Sequence, residues 1–148
     1  MRIALSADHA GYVLKDELAS WLADQGHEIE DLGTNGPESV DYPEFGSKLA
    51  RVISSGGAEK GIAVCGSGIG ISIAVNRDPR CRCARVDDPL AAALAREHND
   101  ANVLALGARL IGADMAKACV QAFLGTDFAG GRHQRRVDQL SSLLQESD

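Results

Sequence analysis

Residues 61–76 read GIAVCGSGIGISIAVN, and this stretch decides the fold. Its first part, Gly61–Val64, is a short apolar run typical of a buried strand. Three alternating glycines follow at Gly66, Gly68 and Gly70, and the apolar residues after them continue as a helix. A buried strand that passes through a glycine-rich loop into a helix is one half of a βαβ unit.

Outside this stretch, short apolar runs alternate with amphipathic segments along the whole chain. The predicted strands are Ile3–Leu5, Glu28–Leu32, Gly61–Val64, Arg82–Val86 and Val103–Leu106. Between them, apolar residues recur at steps of three and four, as in helices of about ten to fifteen residues. This alternation predicts an α/β fold: a doubly wound, Rossmann-like three-layer sandwich with a five-stranded parallel sheet. The 148 residues form a single domain in this prediction, spanning residues 1–148.

Two helix starts are marked by their residues. Asp88-Pro89 places an N-cap and a first-turn proline at the start of the fourth helix. The last helix begins at about Arg132, and we expect it to reach a partner subunit. Its apolar residues share one face: Val137, Leu140 and Leu144.

Composition excludes several classes of protein. Fifteen Lys+Arg against twenty-one Asp+Glu give a net charge of −6, so binding of nucleic acid through bulk positive charge is not expected. The longest uncharged run, residues 61–76, carries four glycines and is too short to span a bilayer. Arg2 is followed at once by a strand-like run, without a signal-peptide pattern. We therefore expect a cytoplasmic domain that binds no membrane.

The four cysteines fall into two groups. Cys81-Arg82-Cys83 resembles half a metal site, but no second Cys/His pair lies at a useful spacing, so the pair predicts no metal site. We predict no cofactor. These two cysteines are expected on one face of a strand, and Cys119 in a helix core. Cys65 differs because it lies where the strand enters the glycine loop.

The loop from Cys65 to Gly70 is suited to an anion. Glycines let backbone N–H groups approach an anion closely, and the following helix start adds positive potential. The loop would therefore hold a phosphate or an enediolate oxyanion, and it would favour a thiolate at Cys65. Ile71 replaces the last glycine of a dinucleotide fingerprint, and no P-loop Gly-Lys-Ser/Thr is present. A tight turn around a buried cysteine is the structural alternative.

Further polar residues follow the other predicted strands. Ligands of doubly wound folds bind outside the carboxyl ends of the strands, which directs attention to Asp8, His9, Tyr42 and Arg109. Asp8 is equally well explained as a helix N-cap. His9 is harder to explain by packing, whereas a lone Tyr42 is more often at the edge of a core.

A second group lies near the ends of the last helices. His98 and Asn99 end the fourth helix, where a histidine either complements the helix dipole or acts as a general acid. Arg132 and Arg136 lie one helical turn apart and suit a phosphate, although such pairs are usually solvated. The fourth helix runs away from the carboxyl ends of the strands, so His98 should lie far from Cys65. We therefore predict an active site shared across a two-fold interface.

In combination, these segments resemble the ribose-5-phosphate isomerase B family, which also includes galactose-6-phosphate and allose-6-phosphate isomerases. The matching segments span almost the whole chain: residues 7–11 (ADHAG), 31–34 (DLGT), 41–43 (DYP), 65–72 (CGSGIGIS), 96–103 (REHNDANV) and 130–137 (GGRHQRRV). The resemblance implies metal-free aldose–ketose isomerisation of a sugar phosphate through a cis-enediolate, in a homodimer or a dimer of dimers.

The resemblance also implies a role for each matching residue. Cys65 would be the base, because this chain carries the cysteine of one family branch, and Ser67 would assist proton transfer between the sugar oxygens. His98, helped by Asp8 and Tyr42, would open the furanose ring. The remaining residues would bind substrate, through loop amides (Gly66, Gly68, Ile69, Gly70), a sugar hydroxyl (Asn99) or the phosphate (His9, Arg109, Arg132, Arg136). His133 would border the site.

Three alternatives stay open at this stage. Ribose 5-phosphate, interconverted with ribulose 5-phosphate in the pentose phosphate pathway, is the expected substrate by analogy, but allose 6-phosphate, galactose 6-phosphate or a tetrose phosphate would suit the same residues. A non-catalytic sugar-phosphate binding domain would keep the arginines and the glycine loop without needing Cys65, Ser67 and His98 together. A redox switch at Cys65 would need a resolving cysteine, which the spacing does not provide.

Overall fold

The computed structural model describes residues 1–142, which form five strands and six helices. The strands are β1 (Arg2–Ala7), β2 (Glu28–Asp31), β3 (Lys60–Cys65), β4 (Cys83–Arg85) and β5 (Val103–Gly107). The helices are α1 (Tyr12–Asp24), α2 (Tyr42–Ser54), α3 (Ile69–Val75), α4 (Pro89–Asn99), α5 (Ala113–Leu124) and α6 (Arg132–Ser142).

The five strands form one parallel sheet in the order β2-β1-β3-β5-β4. Two buried clusters cover its faces. Helices α1, α4 and α5 pack on one face through residues such as Leu18, Ala92 and Phe123. Helices α2 and α3 pack on the other through Leu49 and Ile71. The predicted doubly wound, three-layer sandwich is confirmed.

The chain reverses its direction of winding between β1 and β3, which are neighbours in the sheet. Crevices at such switch points are the usual ligand sites of these folds. Here the carboxyl ends of β1 and β3 bring Asp8 beside Cys65, so the glycine loop opens at this crevice.

Several boundaries differ from the sequence prediction. Asp8 does not cap α1, because that helix begins at Tyr12 after Gly11. Strand β4 is shorter than predicted, because the side chain of Asn102 accepts the amide of Arg82 at 2.8 Å. Cys81 therefore precedes the strand that contains Cys83, although both contact the same core cluster.

Other predictions are confirmed. Asp88 caps α4, accepting the amide of Ala91 at 2.8 Å, and Cys119 is fully buried. In α6, Val137 is buried whereas Leu140 is half exposed; Leu144 lies outside the described residues. Among residues 1–142, every helix is too short or too polar to cross a bilayer.

Candidate active site

The predicted site residues near the sheet line one cavity of about 400 Å³, which we call the thiol cavity. It opens at the carboxyl ends of β1, β3 and β5, beside the start of α2. Its lining combines polar side chains with apolar groups and comprises Asp8, His9, Ala10, Tyr42, Cys65, Gly66, Ser67, Gly70, Arg109 and Leu110. The structure thus brings together residues from four separate predicted segments.

The thiol of Cys65 is almost completely buried at this cavity, with 4% of the residue exposed. Its Sγ accepts a hydrogen bond from the amide of Gly68 at 3.1 Å. Gly68 reaches this position with a φ of +76°, which favours glycine. An amide donor beside sulfur stabilises the thiolate more than the thiol.

Helix α3 has only seven residues, so its dipole is small and the loop amides are the main anion donors. The amides of Ser67 and Gly70 donate to no group within residues 1–142 and remain available to a ligand. The hydroxyl of Ser67 accepts from the amide of Ile69 at 3.1 Å, which fixes it at the cavity. The loop can therefore bind an oxyanion through its backbone.

Asp8 and His9 are held by backbone hydrogen bonds. The carboxylate of Asp8 accepts the amides of Ala10 at 2.9 Å and Gly11 at 3.2 Å, which forms a tight turn. The Nδ1 of His9 lies 3.1 Å from the amide nitrogen and 3.2 Å from the carbonyl oxygen of Val40. The backbone of Val40 can partner Nδ1 in either tautomer, as donor or as acceptor, which leaves Nε2 as the ring nitrogen for a ligand.

Tyr42 and Arg109 each pack on a glycine of the loop. The ring of Tyr42 packs on Gly70, where a Cβ would lie 2.8 Å from the ring. The guanidinium of Arg109 packs on Gly66, where a Cβ would lie 3.2 Å from Nη1. A phenol and a guanidinium therefore both line the cavity, and Arg109 gives it a permanent positive charge.

His98, Asn99 and Arg136 lie elsewhere, in a second cavity of about 600 Å³ between the end of α4 and helix α6. We call it the imidazole cavity. The rings of His98 and His133 stack there with centroids 4.5 Å apart and planes at 14°. Desolvation lowers the pKa of His133, and the charges of His98, Arg132 and Arg136 lower it further, against the opposing charge of Glu97.

The structure therefore divides the predicted site into two groups. Asp8, His9, Tyr42, Cys65, Ser67 and Arg109 share the thiol cavity, while His98, Asn99, His133 and Arg136 share the imidazole cavity. Gly68 and Ile69 belong to the loop but do not line its cavity, and Arg132 lines neither cavity. Within one copy of the chain, Cys65 and His98 therefore line different cavities.

The three remaining cysteines differ from Cys65. Burial raises the pKa of Cys81 and of Cys119 to about 11, and it raises the pKa of Cys83 well above its ordinary value. These groups stay protonated at neutral pH. Among residues 1–142, Cys65 is the one cysteine that both lines a cavity and accepts a backbone amide.

Sequence reasoning missed Arg85, which contacts the glycine loop. Its Nε donates to the carbonyl oxygen of Ser67 at 2.9 Å. The predicted strand Arg82–Val86 placed Arg85 inside the strand and away from its carboxyl end. Because β4 ends at Arg85, the rule that directs attention to the carboxyl ends of strands would have found it in the shorter strand.

Comparison with known proteins now decides the family. The profile of the ribose/galactose isomerase family matches residues 3–140 of this chain. The chain belongs to the ribose/galactose isomerase family. It is 42% identical to ribose-5-phosphate isomerase B of Escherichia coli over 144 residues, which is 97% of each chain. Membership in this family confirms the resemblance and makes the chain an isomerase.

Solved structures of the same family confirm the fold. The ribose-5-phosphate isomerase B of Clostridium thermocellum matches with a TM-score of 0.98 at 46% identity, covering all of both chains. The enzyme of Mycoplasma genitalium, solved with bound ribulose 5-phosphate, matches with a TM-score of 0.93 at 35% identity, covering 98% of this chain and 97% of that one.

Proposed function

We propose that this isomerase interconverts D-ribose 5-phosphate and D-ribulose 5-phosphate through a cis-enediolate, with Cys65 as the base and without a metal ion. The observation that carries the proposal is the buried Cys65 thiol, which accepts an amide hydrogen bond beside two free loop amides. A base next to oxyanion donors is what enediolate chemistry requires. The named activities of the relatives support this substrate.

In this proposal one proton moves between two carbons. The Cys65 thiolate removes the proton from C2 of the open-chain aldose, and the electron pair forms the enediolate. The same thiol then returns the proton to C1, which gives the ketose. The Ser67 hydroxyl transfers a proton between O1 and O2, and the amides of Ser67 and Gly70 bind the oxyanion.

Ring opening and phosphate binding need both cavities. His98 would open the furanose ring as an acid–base group, with Asp8 and Tyr42 beside it. His9 and Arg109 would hold the phosphate together with Arg132 and Arg136, and Asn99 would bind a sugar hydroxyl. Because His98 and Arg136 lie outside the thiol cavity of their own chain, we propose that a second copy supplies them.

The proposed assembly is a homodimer with two equivalent shared sites, in the cytoplasm. Helix α6, which carries Arg132 and Arg136, would reach the partner's thiol cavity. Exposed apolar residues on α3 and α6, Ile69, Ile73 and Leu140, are available for a contact between copies. Two such dimers would form a dimer of dimers.

Conversion of D-ribose 5-phosphate in excess EDTA tests the chemistry. Turnover should survive chelation and fall at least about a hundredfold in Cys65→Ala, the size expected for loss of a general base. Cys83→Ala is the matched control, because its thiol lies outside the thiol cavity, and it should keep wild-type turnover.

Other outcomes would revise separate parts of the proposal. Full activity in Cys65→Ala would exclude this residue as the base, and loss of turnover in EDTA would exclude metal-free chemistry. Turnover of allose 6-phosphate, galactose 6-phosphate or a tetrose phosphate in place of ribose 5-phosphate would change the substrate only.

A further inference from the structure

Arg85 contacts the glycine loop from outside the thiol cavity. It is the last residue of β4, and its side chain is 24% exposed. Its Nε donates to the carbonyl oxygen of Ser67 at 2.9 Å, and its Nη1 pairs with the carboxylate of Asp87. The guanidinium is therefore fixed on both sides, with one N–H directed at a loop carbonyl.

The carbonyl that Arg85 binds and the amide that binds Cys65 belong to the same peptide unit, Ser67–Gly68. In a trans peptide the C=O and N–H point in opposite directions. The carbonyl end points to Arg85, and the N–H end points to Sγ of Cys65 at 3.1 Å. One peptide plane thus joins a positive charge to the thiol.

Strand β5 closes the other side of this peptide. A Cβ at Gly107 would lie 2.6 Å from the Ser67 carbonyl oxygen, so only glycine leaves space for that carbonyl. Between Gly107 and the guanidinium of Arg85 the peptide has little freedom to rotate. Its N–H therefore stays directed at the thiol.

We propose that Arg85 is a positioning residue, which stabilises the thiolate of Cys65 through the Ser67–Gly68 peptide. A cation that binds a carbonyl withdraws electron density and strengthens the N–H of the same peptide as a donor. Hydrogen bonds to ionised groups are about twice as strong as neutral ones, so the effect falls mainly on the thiolate. The catalytic consequence rests on the proposed role of Cys65 as base.

Other charged or titratable groups also face the thiol, and the test has to separate them from Arg85. Asp8, His9, Tyr42 and Arg109 line the same cavity from the segments after β1 and β5 and from the start of α2. Asp87, two residues after β4, pairs with Arg85. Removing Arg85 alone would leave the Asp87 carboxylate unpaired, and its charge would itself disfavour a thiolate. The double variant Arg85→Met/Asp87→Asn removes this second effect.

The primary test measures how fast iodoacetamide alkylates Cys65 across a pH range, with the modified residue located by peptide mass spectrometry. Arg85→Met and Arg85→Met/Asp87→Asn should both move the midpoint of the rate profile upward by about one pH unit, the size expected when the freed Ser67–Gly68 peptide no longer keeps its N–H on the thiolate. Arg51→Met is the control. Arg51 is an exposed arginine on α2 bonded to Ser47, and the midpoint should not move.

Kinetics provide a second readout. The kcat of Arg85→Met for ribose 5-phosphate should fall about tenfold while KM changes less than about twofold, because Arg85 acts on the base and not on substrate binding. Arg85→Lys, which keeps the charge without the planar donor, should recover part of the loss. Thermal unfolding of each variant identifies any general loss of structure.

An unchanged alkylation midpoint in folded Arg85→Met would overturn the inference. If that variant does not fold, Arg85→Gln is measured in its place, since its neutral amide can still donate to Ser67. An unchanged midpoint there would also overturn the inference. Full activity in Cys65→Ala would refute the proposed base without affecting the alkylation result, so the two failures are distinguishable.

Discussion

The two cavities of this isomerase are built in different ways. The thiol cavity lies at the ends of three strands, and backbone amides hold its reactive groups: Gly68 for Cys65, Ala10 and Gly11 for Asp8, and Val40 for His9. The imidazole cavity lies between two helices, and its groups are side chains stacked or exposed at the surface. In the proposed mechanism, carbon–hydrogen cleavage belongs to the first cavity, and the second contributes groups that complete the site.

A buried cationic side chain bonds the loop that leads to each cavity. Lys15 is fully buried, and its ammonium contacts Asp31 at 2.7 Å and Asn35 at 2.8 Å. Asp31 also accepts the amide of Gly33, at the start of the loop that carries Val40. Arg96 donates to Asp100 and Ala101, which follow α4, and to Thr126, which lies between α5 and α6. Each of these buried cations thus bonds several groups of a loop that leads toward one of the cavities.

The largest expected effect is on activity, which should be lost when either Cys65 or His98 is replaced and should partly return when the two variants share a dimer. Cys65→Ala and His98→Asn should each lower activity by about 10²–10⁴-fold, as for lost acid–base groups. When the two variants are unfolded and refolded together, about one quarter of wild-type activity should return, because half of the dimers are mixed and each mixed dimer has one intact site.

A double variant controls this experiment. Refolded with wild type, Cys65→Ala/His98→Asn should inactivate both sites of every mixed dimer, because each site then lacks one group. If one copy held a complete site, mixing the single variants would restore nothing, and the double variant would leave one active site per mixed dimer. Either of these results would refute the shared site and leave the two cavities functionally separate.

Much of this architecture follows from the sequence by simple physical rules. Alternating strands and helices require a parallel sheet, and the glycine loop after Val64 must open at its carboxyl edge, so Asp8, Cys65 and Arg109 could be grouped in advance. The separation of His98 from Cys65 could also be predicted from the sequence, because α4 carries His98 away from that edge. The sequence does not point to Arg85, because the predicted strand runs on to Val86 and places Arg85 inside it, and because its partner is a backbone carbonyl, which side-chain types do not reveal.

Lys15 gives the next largest effect, on stability. Lys15→Met should lower the free energy of unfolding by about 2–3 kcal/mol, because it leaves Asp31 and Asp16 without their shared cation. Both carboxylates are partly exposed and regain water, which keeps the loss below that of a fully buried pair. Urea denaturation measures the difference.

Lys117→Met is the matched control for Lys15. Its ammonium pairs with Glu17 at 3.1 Å on the surface, so the change should stay within about 0.5 kcal/mol. Equal losses in the two variants would show that the interior charge of Lys15 does not hold the thiol-cavity loop, and the parallel with Arg96 would fail.

The smallest expected effect is on KM, and it is tested by comparing two neighbouring arginines of α6. Arg136 lines the imidazole cavity and Arg135 does not. If Arg136 binds the phosphate of a substrate in the partner's thiol cavity, Arg136→Met should raise KM about tenfold with little change in kcat, since a charge-assisted contact to phosphate acts mainly on binding. Arg135→Met removes the same charge from an exposed position and should leave KM unchanged. Equal increases in both variants would mean that α6 attracts the substrate only through its overall charge, and the imidazole cavity would then have no specific phosphate contact.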